Sequence, residues 1–426
     1  MTAALALAGA SSCSEDSAGT GAAGSGSGAA GGGTTSGSTS SGPNGAPTFY
    51  EDVAPIVYAR CLSCHVEGGI APFTFDTYEN AQPFAQAIRE ETAARTMPPF
   101  HIDNSGDCNT YLDARWLTED EIATLAAWAD GGALEGDPAN APALPGKPPA
   151  LANVSATLDI GATYTPDASL DDDYRCFIVD PGVAEDSYLT AYEVKPGEPR
   201  VVHHVVVYSF NDAAAEAQAE ALDQAEAGPG YTCFGGAGAS ASFIVGWAPG
   251  VPVTRYPEGT GLVLNGGRKL AVQVHYNLAY GPLPDRTTVD IELAPSVAKP
   301  AGLYAVVNTD IDLPPGQELV ETTKAFQNTA PVPMVVHGVF PHMHTLGRTL
   351  RVDIDSGGAN TCLVNVPDWS FHWQQFYMYT QPIVVQPGGE VRIDCTYDTR
   401  GQTSSIQWGE GTGDEMCAVG LYVTPQ

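Results

Sequence analysis

Residues 201–210 read VVHHVVVYSF. Valine, tyrosine and phenylalanine at this density spell a β-strand, and the run has companions. KLAVQVHYNLAY (269–280), GLYAVVNTDIDL (302–313) and PIVVQPGGEVRIDCTYD (382–398) are likewise β-rich and alternate with Gly/Pro turns. That spacing predicts antiparallel sandwiches rather than βαβ units. The β-rich region is generous for one sandwich, so two jelly-roll-like sandwiches are expected over 153–299 and 300–426, divided near Pro300. One helical insertion, NDAAAEAQAEALDQAEAG (211–228), interrupts the early strands. Upstream, DPANAPALPGKPPA (137–150) marks a Pro/Ala linker taken as 137–152. Residues 48–136 read as a small all-α domain. Within it Thr118 and Glu121 stand at capping-box spacing, and Ile122, Leu125, Ala126 and Ala129 share one apolar face.

The fold class is therefore multidomain, an all-α unit followed by two all-β ones, as 426 residues allow. Acidic side chains outnumber basic ones 50 to 18, giving a formal charge of −32. Such a surface repels nucleic acid and anionic membranes, and both are excluded as partners. MTAALALAGASSCSED (1–16) resembles the end of an export signal (1–13) leading to a lipidatable Cys13. A Gly/Ser/Ala tether follows over 14–47. These features suit a protein of the bacterial cell envelope that touches a membrane only through a lipid at Cys13. Setting aside Cys13, Cys61 and Cys64, six cysteines remain, and export would oxidise most of them.

Cys61-Leu62-Ser63-Cys64-His65 is the C-x-x-C-H pattern that attaches a c-type haem, with two thiols for the porphyrin vinyl groups and an imidazole for the iron. A thioredoxin-like reading needs a βαβ setting, and a zinc reading needs a second ligand pair nearby. Met97, followed by two prolines, is the expected second axial ligand, with His101 as its rival. A thioether opposite histidine raises the iron potential and suits electron transfer. Over about 90 residues the segment resembles class I cytochromes c.

The chain has nine histidines, and five fall in residues 201–208 and 336–350. Residues two apart on a strand share a face, so His342 and His344 can grip one metal. Adjacent His203 and His204 could share a metal only where the strand bends. His275, in Gln273-Val274-His275-Tyr276, and Met416, in Asp414-Glu415-Met416-Cys417, complete the set. The order HH, QVHY, H-x-H before Leu346-Gly347-Arg348, then DEMC resembles the copper type II monooxygenases from about residue 155 to the C-terminus. Asp173-Tyr174-Arg175-Cys176, Ala248-Pro249 and Pro257-Glu258-Gly259-Thr260-Gly261 strengthen the likeness.

The resemblance implies that His203, His204 and His275 hold one copper that stores electrons. His342, His344 and Met416 would hold a second, where O2 meets the substrate C–H bond. It implies two sandwiches facing each other across a solvent-filled cleft, and disulfides Cys176–Cys233 and Cys395–Cys417. Cys108 and Cys362 remain, either bridged or free. In peptide-amidating members an arginine stands where this chain has Phe340, and an Asn and a Tyr stand where it has Ala418 and Gly420. A neutral or apolar small substrate is expected instead. His337 and the cluster Trp369-Ser370-Phe371-His372-Trp373 read as packing.

Haem and copper motifs in one chain imply an oxidoreductase carrying two coppers and one covalent haem c. Its electrons would come from ascorbate or another redox protein. The competing class is a non-catalytic electron-transfer or copper-handling protein.

Overall fold

A run of nearly unbroken burial marks the strand Val202–Phe210. It sits inside a five-stranded sheet, between Leu270–Asn277 and Ala241–Trp247, with Asp172–Val179 and Tyr231–Thr232 beyond. Both faces are covered. Val205, Val207, Val272 and Val274 face a core shared with Leu189, Tyr192 and Ile291. On the other face, the helix Ala213–Ala225 lays Ala215 and Ala219 against Phe210 and Ala271. Asp212 caps that helix by accepting from the Ala215 N–H at 2.8 Å. By contrast Val320–Gln327 alternates strictly between half-buried and exposed residues, as a strand with one wet face does.

This computed structural model describes residues 45–426, except 235, 357 and 410–412. The leader, Cys13 and nearly all of the expected tether lie outside those residues. The described chain is mostly β-sheet with few helices. A nine-stranded sheet runs from Ala156–Asp159 through Ser187–Lys195, Thr260–Leu264, Lys299–Val307 and Cys417–Pro425 to Met334–Met343 and Tyr377–Val385. The five-stranded sheet shares its core with the early strands of this path. A four-stranded sheet of Val320–Gln327, Glu390–Tyr397, Gly347–Ser356 and Ala359–Val366 packs with the late ones.

The division expected near Pro300 falls inside one strand. Lys299, Pro300 and Ala301 pair in parallel with Thr260, Gly261 and Leu262. Gly302 to Val307 then pair antiparallel with Val423 to Ala418. The two sandwiches therefore share a continuous sheet.

Residues 48–136 build a separate helical core around Phe49, Val57, Leu125 and Trp128. The capping box forms: Thr118 accepts from the Glu121 N–H at 3.2 Å, and Glu121 accepts from the Thr118 N–H at 2.7 Å. Between the helices Ala85–Ala93 and Glu119–Asp130, residues 99–116 leave this unit as a strap. Phe100, Ile102 and Tyr111 join the core of the second sandwich. The Leu112 N–H donates to the Met378 carbonyl at 2.8 Å, and the Thr380 N–H to that of Thr110 at 2.9 Å. Among the described residues the disulfides are Cys108–Cys362, Cys176–Cys233 and Cys395–Cys417. The last two are the pairs implied by the resemblance, and the first clamps the strap to the second sandwich. Among the described residues no helix is long and apolar enough to cross a membrane.

The Cys108–Cys362 bridge spans 254 residues of sequence, so it removes much freedom from the unfolded chain. The double variant Cys108→Ser/Cys362→Ser is expected to lose about 2–4 kcal/mol of stability, read as a lower denaturant midpoint.

Candidate metal centres

Period-2 pleating places His204, Val206 and Tyr208 on one face of their strand, with Tyr174, Gln273 and His275 beside them on neighbouring strands. His275 stands opposite both Tyr174 and His204 in the ladder. Adjacent His203 reaches the same spot through a β-bulge. The register shifts between Val202, paired with Tyr276, and His204, paired with His275, leaving His203 as the extra residue. The three imidazoles each offer a nitrogen within 4.8 Å of the others.

Hydrogen bonding sorts their tautomers. His275 Nε2 lies 2.8 Å from Asp172 Oδ1, an acceptor, so Nε2 carries the proton and Nδ1 the lone pair. That Nδ1 is 3.2 Å from His204 Nδ1. His203 Nδ1 is buried with no hydrogen-bond partner. Two imidazole nitrogens facing each other and a third orphaned beside them fit a soft or borderline metal ion such as copper. Burial, reinforced by the neighbouring imidazoles, pulls His203 down to about 3 and His204 well below its ordinary range. Burial also lowers His275, against the pull of Asp172. The same hydrogen bond holds the Asp172 carboxyl down at about 2. Neutral imidazole is the ligating form.

The second set lies on Met334–Met343 and just beyond it. Gln374 donates its amide N–H to the Phe371 carbonyl at 2.7 Å, which turns its oxygen toward His342 Nδ1 at 2.6 Å. His344 Nδ1 lies 3.0 Å from the Asp414 carbonyl. Both partners accept, which puts the ligand lone pair on each Nε2. The rings are 5.2 Å apart and nearly perpendicular. His342 pairs with Ala418 and Met343 with Cys417, so Met416 comes up beside His344. Glu415 secures the junction by accepting from the backbone N–H groups of His344, Leu346 and Met416. Burial raises its carboxyl to about 7. Two imidazoles suit copper, and a thioether added from Met416 would favour Cu(I).

Between the two histidine sets the expected solvent-filled cleft is a narrow cavity of about 50 Å³. His204, His342 and His344 line it with Phe234, Phe340 and Phe371. Phe340, standing in place of the arginine, packs on Phe243 at 4.5 Å.

The C-x-x-C-H motif opens onto a second cavity of about 780 Å³. Cys61, Cys64, His65 and Met97 all line it, whereas His101 does not. His101 instead bonds the Asp368 backbone, and burial lowers its pKa. His65 Nδ1 lies 3.2 Å from the Phe73 carbonyl, which assigns the proton to Nδ1 and the lone pair to Nε2. Phe73, Phe75, Phe84 and Ile88 make the walls apolar, with Arg60 and Arg115 also lining them. Neither Cys61 nor Cys64 is in a disulfide, and burial pushes the Cys61 thiol up to about 12. Size, apolar walls and donor set fit a haem attached through both thiols.

The far wall of this cavity contains His203, His372 and Trp373. The aromatic cluster read as packing thus lines the cavity beside His203, through Ser370, His372 and Trp373. Trp369, Phe371 and Gln374 also belong to the second site: the Trp369 Nε1–H donates to the His344 carbonyl at 3.0 Å. His337 packs as expected, bonded to Thr424 at 2.9 Å.

Residues 299–424 match the C-terminal domain of the copper type II ascorbate-dependent monooxygenases. That family is one of copper-dependent oxidoreductases. The chain is 29% identical over 197 residues to peptidyl-glycine alpha-amidating monooxygenase A of Xenopus laevis, covering 43% of this chain and 20% of that protein. It is 25% identical over 253 residues to tyramine beta-hydroxylase of Caenorhabditis briggsae, covering 54% and 41%. The chain thus spans between a fifth and two fifths of these relatives' length. Likeness to solved structures is slight. The infectious bursal disease virus VP2 subviral particle aligns at 13% identity over 66% of this chain and 75% of that one, with a TM-score of 0.19.

In the metal-free protein the depressed histidines set a pH dependence. Below about 6.5 the unfolded chain takes up protons that folded His203 and His342 refuse until about 3 and about 4. Their contribution is fully present above 6.5 and is lost as pH falls through that window. The denaturant midpoint is expected to drop between pH 7 and pH 5, and less steeply in His203→Asn.

Proposed function

We propose that this chain is a copper-dependent monooxygenase that hydroxylates a C–H bond of a small neutral substrate with O2. Residues 48–136 would be its built-in cytochrome c-like electron donor. The observation that carries the reading is the 780 Å³ cavity, which has Cys61, Cys64, His65 and Met97 on one side and His203 on the other. His203, His204 and His275 would hold the electron-storing copper; His342, His344 and Met416 would hold the one that meets O2. Copper at these sites would supply one-electron redox chemistry and O2 activation.

The chain's own groups do the rest. Asp172 holds the His275 tautomer and Gln374 that of His342, so both rings present a lone pair. Phe234, Phe340 and Phe371 give the space between the histidine sets apolar walls. With Phe340 in place of a carboxylate-binding arginine, a neutral apolar or aromatic compound suits the site better than an acid. Ascorbate or another redox protein would reduce the haem. The disulfides suit an oxidising, extracellular setting, and we extend this to the bacterial cell envelope, with a lipid at Cys13.

The test is copper per haem iron after metal loading and dialysis, followed by O2 uptake with neutral and carboxylate-bearing substrates. Two coppers per iron are expected, one in His275→Ala, and none of the haem should remain covalent in Cys61→Ala/Cys64→Ala. Product should form from neutral compounds in preference to acids. Two coppers without hydroxylated product would make the chain a copper-handling electron carrier.

A further inference from the structure

Arg115 is a buried cation without a counter-charge. It is 9% exposed, and the acceptors of its guanidinium are all neutral. They are the Pro249 carbonyl at 3.0 Å, the Gln375 side-chain oxygen at 3.1 Å and the Pro99 carbonyl at 3.4 Å. Its Nε is buried with no hydrogen-bond partner, and among the described residues no carboxylate pairs with it. The other two arginines lining the large cavity differ, because Arg60 is paired with Glu121 and Arg200 with Glu198. Glu91, the carboxylate on the cavity wall, is exposed and bonded to Thr96. A buried charge of this kind is costly to keep, and its field is weakly screened because neither solvent nor an adjacent anion cancels it.

The guanidinium also lies beside both segments that carry candidate iron ligands. Its bond to the Pro99 carbonyl ties it to the Met97-Pro98-Pro99 loop. Ser63, inside the C-x-x-C-H motif, is close by: a Cβ added at Gly250 would stand 2.5 Å from Arg115 Nη1 and 2.8 Å from Ser63 Oγ. We propose that Arg115 raises the reduction potential of a haem held by His65 and Met97. The inference rests on the haem assignment above and adds what sets the redox poise. When ferric haem takes one electron from its reductant and becomes ferrous, the centre loses one unit of positive charge. A fixed cation beside it favours that loss. No bond forms or breaks at Arg115 and no proton moves there; it acts through its field. At an effective dielectric of about 20, a unit charge about 10 Å from a redox centre shifts a one-electron equilibrium by about tenfold.

The experiment titrates the haem potential by spectroelectrochemistry in the full chain with haem attached and copper loaded. Arg115→Met should lower the equilibrium constant for reduction by about tenfold, a fall of about 59 mV. Arg115→Lys keeps the charge and should stay near the wild type. Gln375→Glu sets a carboxylate against the guanidinium without removing it, and should also lower the potential. The haem absorption spectrum should be that of the wild type in every variant. A wild-type potential in Arg115→Met overturns the proposal, as does an equal fall in Arg115→Lys. So does a changed spectrum in Arg115→Met, which would make the residue a prop for the Met97 loop. If Arg115→Met does not fold, Gln375→Glu decides, and an unchanged potential there overturns the proposal. If the wild-type chain carries no covalent haem, the haem reading fails first and the role of Arg115 falls with it.

Discussion

The strand Lys299–Val307 is the joint on which the arrangement of sites depends. Its first residues complete the sheet of one sandwich and its last residues complete that of the other. A backbone ladder is stiff along the strand, so two sandwiches sharing a sheet cannot swing apart as units connected by a flexible linker can. The face carrying His204 and His275 is thereby held against the strand end carrying His342 and His344. Tyr422 and Tyr256 stack at 4.6 Å across the junction, and Thr260 and Tyr422 share a hydrogen bond of 2.7 Å. With that joint closed, aromatic side chains fill the space that would otherwise be an open cleft.

A second constraint holds the helical unit in place. Arg115, on the strap, is only 9% exposed. Its guanidinium donates to the Pro249 carbonyl at 3.0 Å in the first sandwich and to Gln375 Oε1 at 3.1 Å in the second. One buried cation is therefore shared by all three parts of the chain. Removing it would leave unpaired acceptors inside, a cost well above that of a surface contact. Together with the Cys108–Cys362 bridge, this gives the large cavity a defined far wall. On the proposed function this rigidity matters, because transfer between fixed centres needs no docking step, whereas a tether alone raises only the local concentration.

Much of this was legible in the sequence, for reasons that are local. H-M-H on a strand must face one way, and C-x-x-C-H needs only five consecutive residues. Thr118 and Glu121 announce their helix through a contact three residues long. The HH pair was half legible: adjacent side chains require a bend, but the bulge that supplies it depends on how Val202–Phe210 pairs with Leu270–Asn277. The division at Pro300 was read from composition, which cannot show that a single strand pairs on both sides of it. The partners of Cys108 and Cys362 likewise depend on a strap whose path is set by tertiary contacts.

The least legible element was Trp369–Gln374. Its two tryptophans and a phenylalanine have the composition of a core, and no periodicity separates a ring packed among side chains from one walling a cavity. The distinguishing feature is what lies on each face, and that is decided by residues more than a hundred positions away. Polar residues interleaved among the rings were the available signal. Ser370, His372 and Gln374 would be costly in a dry core without partners, so their presence between aromatics argued for a boundary. Such a segment presents Phe371 and Gln374 to one cavity and Ser370, His372 and Trp373 to the other, a division of faces that only the tertiary fold decides.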